Sequence, residues 1–218
     1  EVLVTCGSTE AMICTMMAIC NPGDKVMVFS PFYENYGADA ILSGAEPIYI
    51  PLVPPAYDFD ITLIERGFQE GAKAIIICNP SNPCGKVFSY EELEAIGKLA
   101  IQYDAFVVTD EVYEYLVYAP YKHTCMASLP GMYEHTITCN SLSKTYSITG
   151  WRLGYLTGPE KIVEAAKKIK ENLINQKIVL MCGSPCQISA LYNYLGKDYE
   201  NLITCDFIHN IPLEDRLT

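Results

Sequence analysis

Residues 136–155 read TITCNSLSKTYSITGWRLGY, a strand-like run that leads into a segment with one lysine and one arginine. Positions 136–139 are mostly β-branched or apolar, as expected for a strand that is covered on both faces of a sheet. The polar residues Ser141 to Lys144 follow directly. Because ligands of parallel sheets bind outside the carboxyl ends of the strands, we expect chemistry to collect at this point.

The remainder of the chain alternates short β-branched runs with longer amphipathic segments. We predict strands at residues 2–5, 25–29, 47–50, 73–78, 105–109, 136–139, 177–181 and 201–205. The clearest helices are expected at 8–20, 90–103, 159–173 and 185–195. Ser89 and Glu92 predict a capping box at the start of the second of these helices. Strands and helices in this order indicate an α/β fold with a mainly parallel sheet.

The charge of the chain excludes two classes of function. Among 218 residues, 15 Lys and Arg stand against 26 Asp and Glu, for a formal net charge of −11. Nucleic acids and anionic membrane surfaces need a basic face, so we expect neither as a partner. The longest apolar stretch, at 11–20, is ten residues, well short of the roughly twenty that span a bilayer. Since the first residue is Glu1 and a strand follows at once, we expect the chain to begin inside a larger domain.

Ten cysteines lie mostly in apolar runs and lack the spacing of a disulfide framework. A reducing, cytoplasmic location fits this usage better than secretion. The candidate metal ligands are Cys182, Cys186, Cys205 and His209. Zinc sites usually have more closely paired ligands, so structural thiols are favoured and no metal is expected.

Residues that could bind a ligand follow five of the predicted strands. They are Gly7, Ser8 and Thr9, then Tyr33, then residues 79–85, then Asp110 to Tyr113, and finally Ser141 to Lys144. These positions contribute to five motifs in chain order: GSTEA, SPFYENY, NPSNPCG, TDEVY and SLSKTYSITGWR. Any one motif alone would be weak, but the ordered set is specific.

This set of motifs closely resembles the pyridoxal-phosphate-dependent aminotransferases of classes I and II, the fold-type-I family. The resemblance implies a three-layer α/β fold in which residues 1–168 form an incomplete large, cofactor-binding domain. It also implies pyridoxal 5'-phosphate as cofactor, an amino acid and a 2-oxo acid as substrates, and a homodimer for the full-length protein.

Three residues match the catalytic positions of that family. Lys144 matches the lysine that bonds to the cofactor aldehyde and moves the substrate α-proton. Asp110 matches the carboxylate that pairs with the pyridine nitrogen, and Tyr113 the phenol that donates to the ring oxygen. A solvated surface lysine and a helix N-cap are the ordinary alternatives for Lys144 and Asp110.

Two further residues match positions around the cofactor ring. Asn82 corresponds to the amide that shares the ring oxygen with the phenol, and Tyr33 to the aromatic side chain that stacks on the ring. Turn chemistry could equally explain Asn82, and with sixteen tyrosines in the chain Tyr33 could be a core residue. Where the family usually has threonine before the glycine of this motif, the chain has Cys84.

The phosphate group is expected to bind several donors at once. The resemblance assigns this role to the turn at Gly7, the backbone N–H groups of Ser8 and Thr9, the Ser141 hydroxyl and the Arg152 guanidinium. A helix N-terminus together with a guanidinium complements a dianion.

The end of the chain departs from the family pattern. Residues 169–218 form a tail in which Gly183 to Gln187 resemble a motif of deazaflavin-dependent hydrogenase or dehydrogenase β-subunits, which predicts a chimera. The sole arginine after Arg152 is Arg216, in a context that matches no substrate-carboxylate site. The isolated chain is therefore expected to be a poor transaminase. A C–S lyase or decarboxylase that uses the same lysine, or an inactive cofactor-binding remnant, remains the alternative function.

Overall fold

The computed structural model describes residues 1–175, 179–183 and 202–206, with side chains as far as residue 171. The chain divides into two compact units, Glu1–Lys167 and Lys168–Thr218. The first unit contains the sheet and all the predicted site residues.

Seven strands form the sheet of the first unit. They are β1 (Val2–Thr5), β2 (Lys25–Ser30), β3 (Glu46–Pro51), β4 (Ala72–Cys78), β5 (Phe106–Asp110), β6 (Thr136–Ser141) and β7 (Gly154–Thr157). Their order across the sheet is β1-β7-β6-β5-β4-β2-β3. β7 is antiparallel to both of its neighbours, and the other strands all run in one direction. The mainly parallel α/β sheet is therefore confirmed.

Helices connect these strands. They are α1 (Gly7–Ile19), α2 (Asn35–Leu42), α3 (Ile61–Gln69), α4 (Tyr90–Gln102), the short α5 (Leu142–Thr145) and α6 (Glu160–Asn175). The predicted capping box is present, since the Ser89 side chain accepts from the Glu92 N–H and the Glu92 side chain accepts from the Ser89 N–H. α2 and α3 were not among the predicted helices.

The core lies on both faces of the central strands. Met27, Ile75 and Val107, from β2, β4 and β5, share one buried cluster with Ile64 of α3 and Ile96 of α4. α1 contacts β6 and β7 and its buried residues lie outside that cluster. Helices therefore cover both faces, which makes three layers and leaves the carboxyl edge of the sheet free for a site.

The second unit contains a pair of parallel strands, β8 (Val179–Gly183) and β9 (Leu202–Asp206). Each begins one or two residues later than predicted. The predicted helix at 185–195 and the side chains of Cys182, Cys186, Cys205 and His209 lie outside the described residues. No helix in the described part of the chain is long and apolar enough to cross a membrane.

Candidate functional site

The carboxyl ends of three neighbouring strands place Asp110 at the centre of the sheet edge. In the register of β4, β5 and β6, Asp110 pairs with Cys78 on one side and with Cys139 on the other. Ser141 lies two residues beyond Cys139, at the end of β6. The sheet therefore brings the predicted carboxylate and the lysine segment to one edge, because neighbouring strands lie about 4.8 Å apart.

The Asp110 carboxyl group is buried and both of its oxygens accept hydrogen bonds. Oδ2 accepts from the Tyr36 hydroxyl at 2.8 Å, and Oδ1 accepts from the Val112 N–H at 3.2 Å. Burial raises the pKa of Asp110 to about 6, although the hydrogen bonds from these two donors lower it. The Val112 contact is the local turn bond that the capping alternative anticipated, and it uses just one of the two oxygens.

Tyr36 is a site residue that the sequence analysis did not single out. Its side chain is buried, and its ring meets the ring of Tyr33 edge-on, with the centroids 5.7 Å apart. Tyr33 itself is half-buried, and burial, with Asp110 among the neighbouring charges, raises its pKa. The sequence signal that could have indicated Tyr36 is its spacing from Tyr33. Both tyrosines belong to the motif SPFYENY, three residues apart near the start of α2.

The predicted lysine lies beside the predicted phenol. Lys144 is in α5, directly after β6, and Ser141 caps this helix by accepting a hydrogen bond from the Ser143 N–H at 3.2 Å. The Lys144 Nζ atom is 5.9 Å from the centroid of the Tyr113 ring. Lys144 is exposed, so the amine is accessible to a ligand that enters this edge.

Asn82 lies close to Tyr36 and to Tyr113. It lines one small pocket with Tyr36 and Cys78, and it lines a cleft of about 470 Å³ with Tyr113. The motif NPSNPCG that carries it forms a turn in which the Gly85 N–H donates to the Ser81 carbonyl at 2.9 Å. The turn interpretation of Asn82 is therefore correct for the backbone, and its side chain is also at the site.

The residues proposed to bind the phosphate lie near one another where β6, β7 and β1 are neighbours in the sheet. Ser141 pairs with Gly154 of β7, and Gly154 pairs with Thr5 of β1, two residues before Gly7. A Cβ atom at Gly154 would overlap the Gly7 backbone, so the two chains touch here. This close approach brings the end of β6 and the N-terminus of α1 together.

Arg152 lies against the same helix N-terminus. Its backbone has left-handed angles, φ 51° and ψ 47°, and its guanidinium packs on Gly7, where any Cβ atom would collide with it. Gly7 has a φ of +79°, which glycine adopts readily. Ser8 and Thr9 are in the first turn of α1, whose free N–H groups favour anions.

These residues fit the cofactor that the motifs imply. The glycine at the start of α1 leaves room for a guanidinium at a helix N-terminus, as a phosphate dianion requires. The buried carboxylate of Asp110 suits a cationic ring nitrogen, and the Ser143 hydroxyl is buried without a hydrogen-bond partner near the lysine. Of the predicted set, Asp110, Tyr33, Tyr113 and Lys144 share one region, and Gly7, Ser141 and Arg152 share the adjoining one.

A buried carboxyl group with a histidine beside it adjoins the site and was also missed in the sequence. Glu111 is buried beside Asp110 in the chain, and its Oε2 is 3.4 Å from Nε2 of His123. Glu111 also accepts from the Thr109 hydroxyl at 3.0 Å and from the Met126 N–H at 3.3 Å. These contacts anchor the segment between β5 and β6, which carries Tyr113.

Comparisons with known proteins identify the family of this chain. The sequence model of the family described as aminotransferase class I and II matches residues 1–191. Human kynurenine–oxoglutarate transaminase 3 is 40% identical over 197 residues, which cover 86% of this chain and 42% of that protein. Aspartate aminotransferase of Pinus pinaster is 40% identical over 173 residues, 78% of this chain and 35% of the other. This chain thus spans less than half the length of these curated relatives.

A solved structure supports the same conclusion. N-succinyldiaminopimelate aminotransferase from Mycobacterium tuberculosis superposes with a TM-score of 0.76 at 38% identity, over 79% of this chain and 46% of that one. The family match runs to residue 191, past the boundary at 168 where the sequence had predicted a change of family, and no comparison supports the second resemblance. The family resemblance therefore extends further along the chain than predicted, and the domain boundary at 168 stays a prediction. The chain belongs to the aminotransferase class I and II family.

Proposed function

We propose that this chain is the cofactor-binding part of a pyridoxal-phosphate-dependent aminotransferase, which transfers an amino group between an amino acid and a 2-oxo acid. The observation that carries this proposal is the grouping of an accessible Lys144 amine beside Tyr113 with the buried Asp110 carboxylate at the same sheet edge. Family members use pyridoxal phosphate. Because the chain spans less than half of its curated relatives, the activity is proposed for the whole protein.

Each residue of the group has a defined task in this reaction. The bound cofactor supplies an electron-poor ring that accepts the electron pair left when the substrate loses its α-proton. Lys144 holds the cofactor and then carries that proton as general base. Asp110 holds the ring nitrogen with a negative charge, and Tyr113 with Asn82 donates to the ring oxygen. The face of Tyr33 packs on the ring and orients it.

The phosphate anchor keeps the ring fixed while the proton moves. Arg152 supplies the positive charge, and the first turn of α1 supplies N–H donors from Ser8 and Thr9. Ser141 adds a hydroxyl from the end of β6. Such an anchor binds substrate and product states equally, so its loss weakens cofactor affinity more than the chemical step.

Three further properties belong to the proposal. We expect a homodimer, as the family resemblance implies, and sedimentation should find a dimer of the whole protein; a monomer at all concentrations would contradict it. We also expect a cytoplasmic location and a role in amino-acid metabolism. The location is supported by the free thiols of Cys20, Cys78, Cys84 and Cys125.

Absorbance tests the proposal directly. Pyridoxal phosphate added to the chain should give the absorption band of a lysine-bound cofactor, and Lys144→Ala should remove it. In the whole protein, an amino acid should then convert the cofactor to its amino form with release of a 2-oxo acid. Release of ammonia or carbon dioxide instead would indicate an elimination lyase or a decarboxylase, and a chain that never develops the band would refute the proposal.

A further inference from the structure

The hydroxyl group of Tyr36 lies against the carboxylate of Asp110 at the carboxyl edge of the sheet. Tyr36 is 3% exposed and donates to Asp110 Oδ2 at 2.8 Å. The Cys78 thiol also lies beside that hydroxyl and donates its own hydrogen to the Pro80 carbonyl at 3.2 Å, but its sulfur is a weak acceptor beside an ionised carboxylate. The Tyr36 proton therefore points at the carboxylate, and a buried donor–acceptor pair of this kind keeps one geometry.

The ring of the same residue supports a second group of the site. Its ring and the Tyr33 ring pack edge to face, at an interplanar angle of 74°. Edge-to-face contact of this kind is favourable because the positive edge of one ring meets the negative face of the other. Tyr36 thus touches both Asp110 and Tyr33, the two groups that would hold the cofactor ring at its nitrogen and its face.

We propose that Tyr36 is a positioning residue, which holds the Asp110 carboxylate through its hydroxyl and the Tyr33 ring through its edge. This inference rests on the proposed function, because it concerns how this chain prepares the site for the cofactor ring. With both oxygens of Asp110 engaged, by Tyr36 and by the Val112 N–H, the carboxylate cannot rotate freely. Preorganisation of this kind removes an ordering cost at the moment of binding.

The hydroxyl also favours the ionised form of Asp110. The titratable groups that face Asp110 from the elements around it are Tyr33, Tyr36, Cys78, Glu111, Tyr113 and Cys139. Burial and the Glu111 charge raise the pKa of Asp110, whereas Tyr36 and the Val112 N–H lower it. Removal of the hydroxyl should therefore raise that pKa above its present value of about 6, and the carboxylate should be protonated more often near neutrality.

The test is the pH dependence of cofactor binding by the Tyr36→Phe chain, which keeps the ring contact with Tyr33 and loses the hydroxyl. At about pH 6.5 the variant should bind pyridoxal phosphate about three-fold more weakly than the unaltered chain, since a rise of about one unit in a pKa near 6 lowers the ionised fraction of Asp110 from about three-quarters to about one-quarter. At about pH 9 both carboxylates are ionised, and the ratio of the two dissociation constants should approach one. A ratio that is the same at every pH, or no weakening at all, would overturn the proposal.

A matched control removes a tyrosine hydroxyl elsewhere. Tyr103 follows α4 at the amino end of β5, whereas Asp110 lies at the carboxyl end, and its hydroxyl accepts a hydrogen bond from the Gln69 amide at 3.2 Å. Tyr103→Phe should therefore leave the binding ratio at one. If it weakens binding as Tyr36→Phe does, the effect is general destabilisation and the assignment fails.

Two measurements keep the inference testable apart from cofactor binding. An infrared titration without cofactor, with Asp110→Asn to identify the carboxyl band, should show a higher midpoint in Tyr36→Phe; an unchanged midpoint contradicts the inference even if the proposed function fails. If Tyr36→Phe does not fold, the unaltered chain serves instead. Its Tyr36 hydroxyl proton should exchange slowly and shift as Asp110 titrates, and a fast-exchanging, pH-independent proton would overturn the proposal.

Discussion

The side-chain nitrogen of Lys144 lies 5.9 Å from the centroid of the Tyr113 ring. These residues are 31 positions apart in the sequence, and they meet because β5 and β6 are parallel neighbours that end at the same edge. The family resemblance assigns the lysine to the cofactor aldehyde and the phenol to the ring oxygen. These two side chains therefore face a common space. Predictions for the groups around that space follow from their burial and charge.

Arg152→Ala should weaken cofactor binding. The guanidinium lies against the N-terminus of α1, and loss of a hydrogen bond to a charged group costs about 1.5–3 kcal/mol, roughly ten-fold to more than a hundred-fold in affinity. Binding is measured by absorbance titration with pyridoxal phosphate. Arg66→Ala is the matched control, because Arg66 is an exposed arginine paired with Glu70 on α3. Equal dissociation constants for all three proteins would count against the phosphate assignment.

Asp110→Asn should stabilise the cofactor-free chain and weaken cofactor binding. The pKa of Asp110 is raised to about 6 in the folded chain, so the folded state binds its proton more tightly than the unfolded state does. Stability is therefore lost as pH rises from about 4 to about 6, by on the order of 3 kcal/mol. The asparagine avoids that loss but offers no charge to a cationic ring nitrogen. Near pH 8 the substitution should raise the melting temperature of the cofactor-free chain and lower that of the cofactor-bound chain. A variant that is less stable in both states would refute this account.

Asp39→Asn should remove a second pH-dependent loss of stability. Asp39 on α2 is buried, its Oδ2 has no hydrogen-bond partner, and burial raises its pKa to about 7. Because the unfolded carboxyl ionises first, stability should fall as pH rises through about 4 to 7, by roughly 4 kcal/mol. Denaturant unfolding at about pH 6 and pH 8 measures the difference. The variant should lose less stability between these values than the unaltered chain, while exposed Asp58→Asn should behave as the unaltered chain does.

The parallel strands and the capping box of α4 were predictable because their signals are local. The apolar runs of β4 and β5 are buried on both faces, and the capping box of α4 is written in Ser89 and Glu92. β7 was missed because its four residues carry no strand-length pattern and begin just after a left-handed Arg152. α2 was missed because no side chain caps its start.

Site residues that belong to a motif and follow a strand were predictable from the sequence. Site residues whose role depends on a contact with a distant part of the chain were not. Lys144, Asp110 and Tyr113 follow strands directly, so topology alone brings them to one edge. Tyr36 was missed because its role depends on a contact with Asp110, 74 positions away. The pairing of Glu111 with His123 likewise depends on how the segment after β5 folds back, which no local pattern indicates.

The most direct test of the central claim is to find which lysine bonds to the cofactor. The chain is loaded with pyridoxal phosphate, reduced with borohydride, digested and mapped by mass spectrometry, with Lys144→Ala treated in parallel. Lys144 follows β6 beside Tyr113, so a single modified peptide that contains it is predicted, and no modified peptide is expected from the variant. A label on another lysine, or an equal spread over exposed lysines in both proteins, would contradict the account.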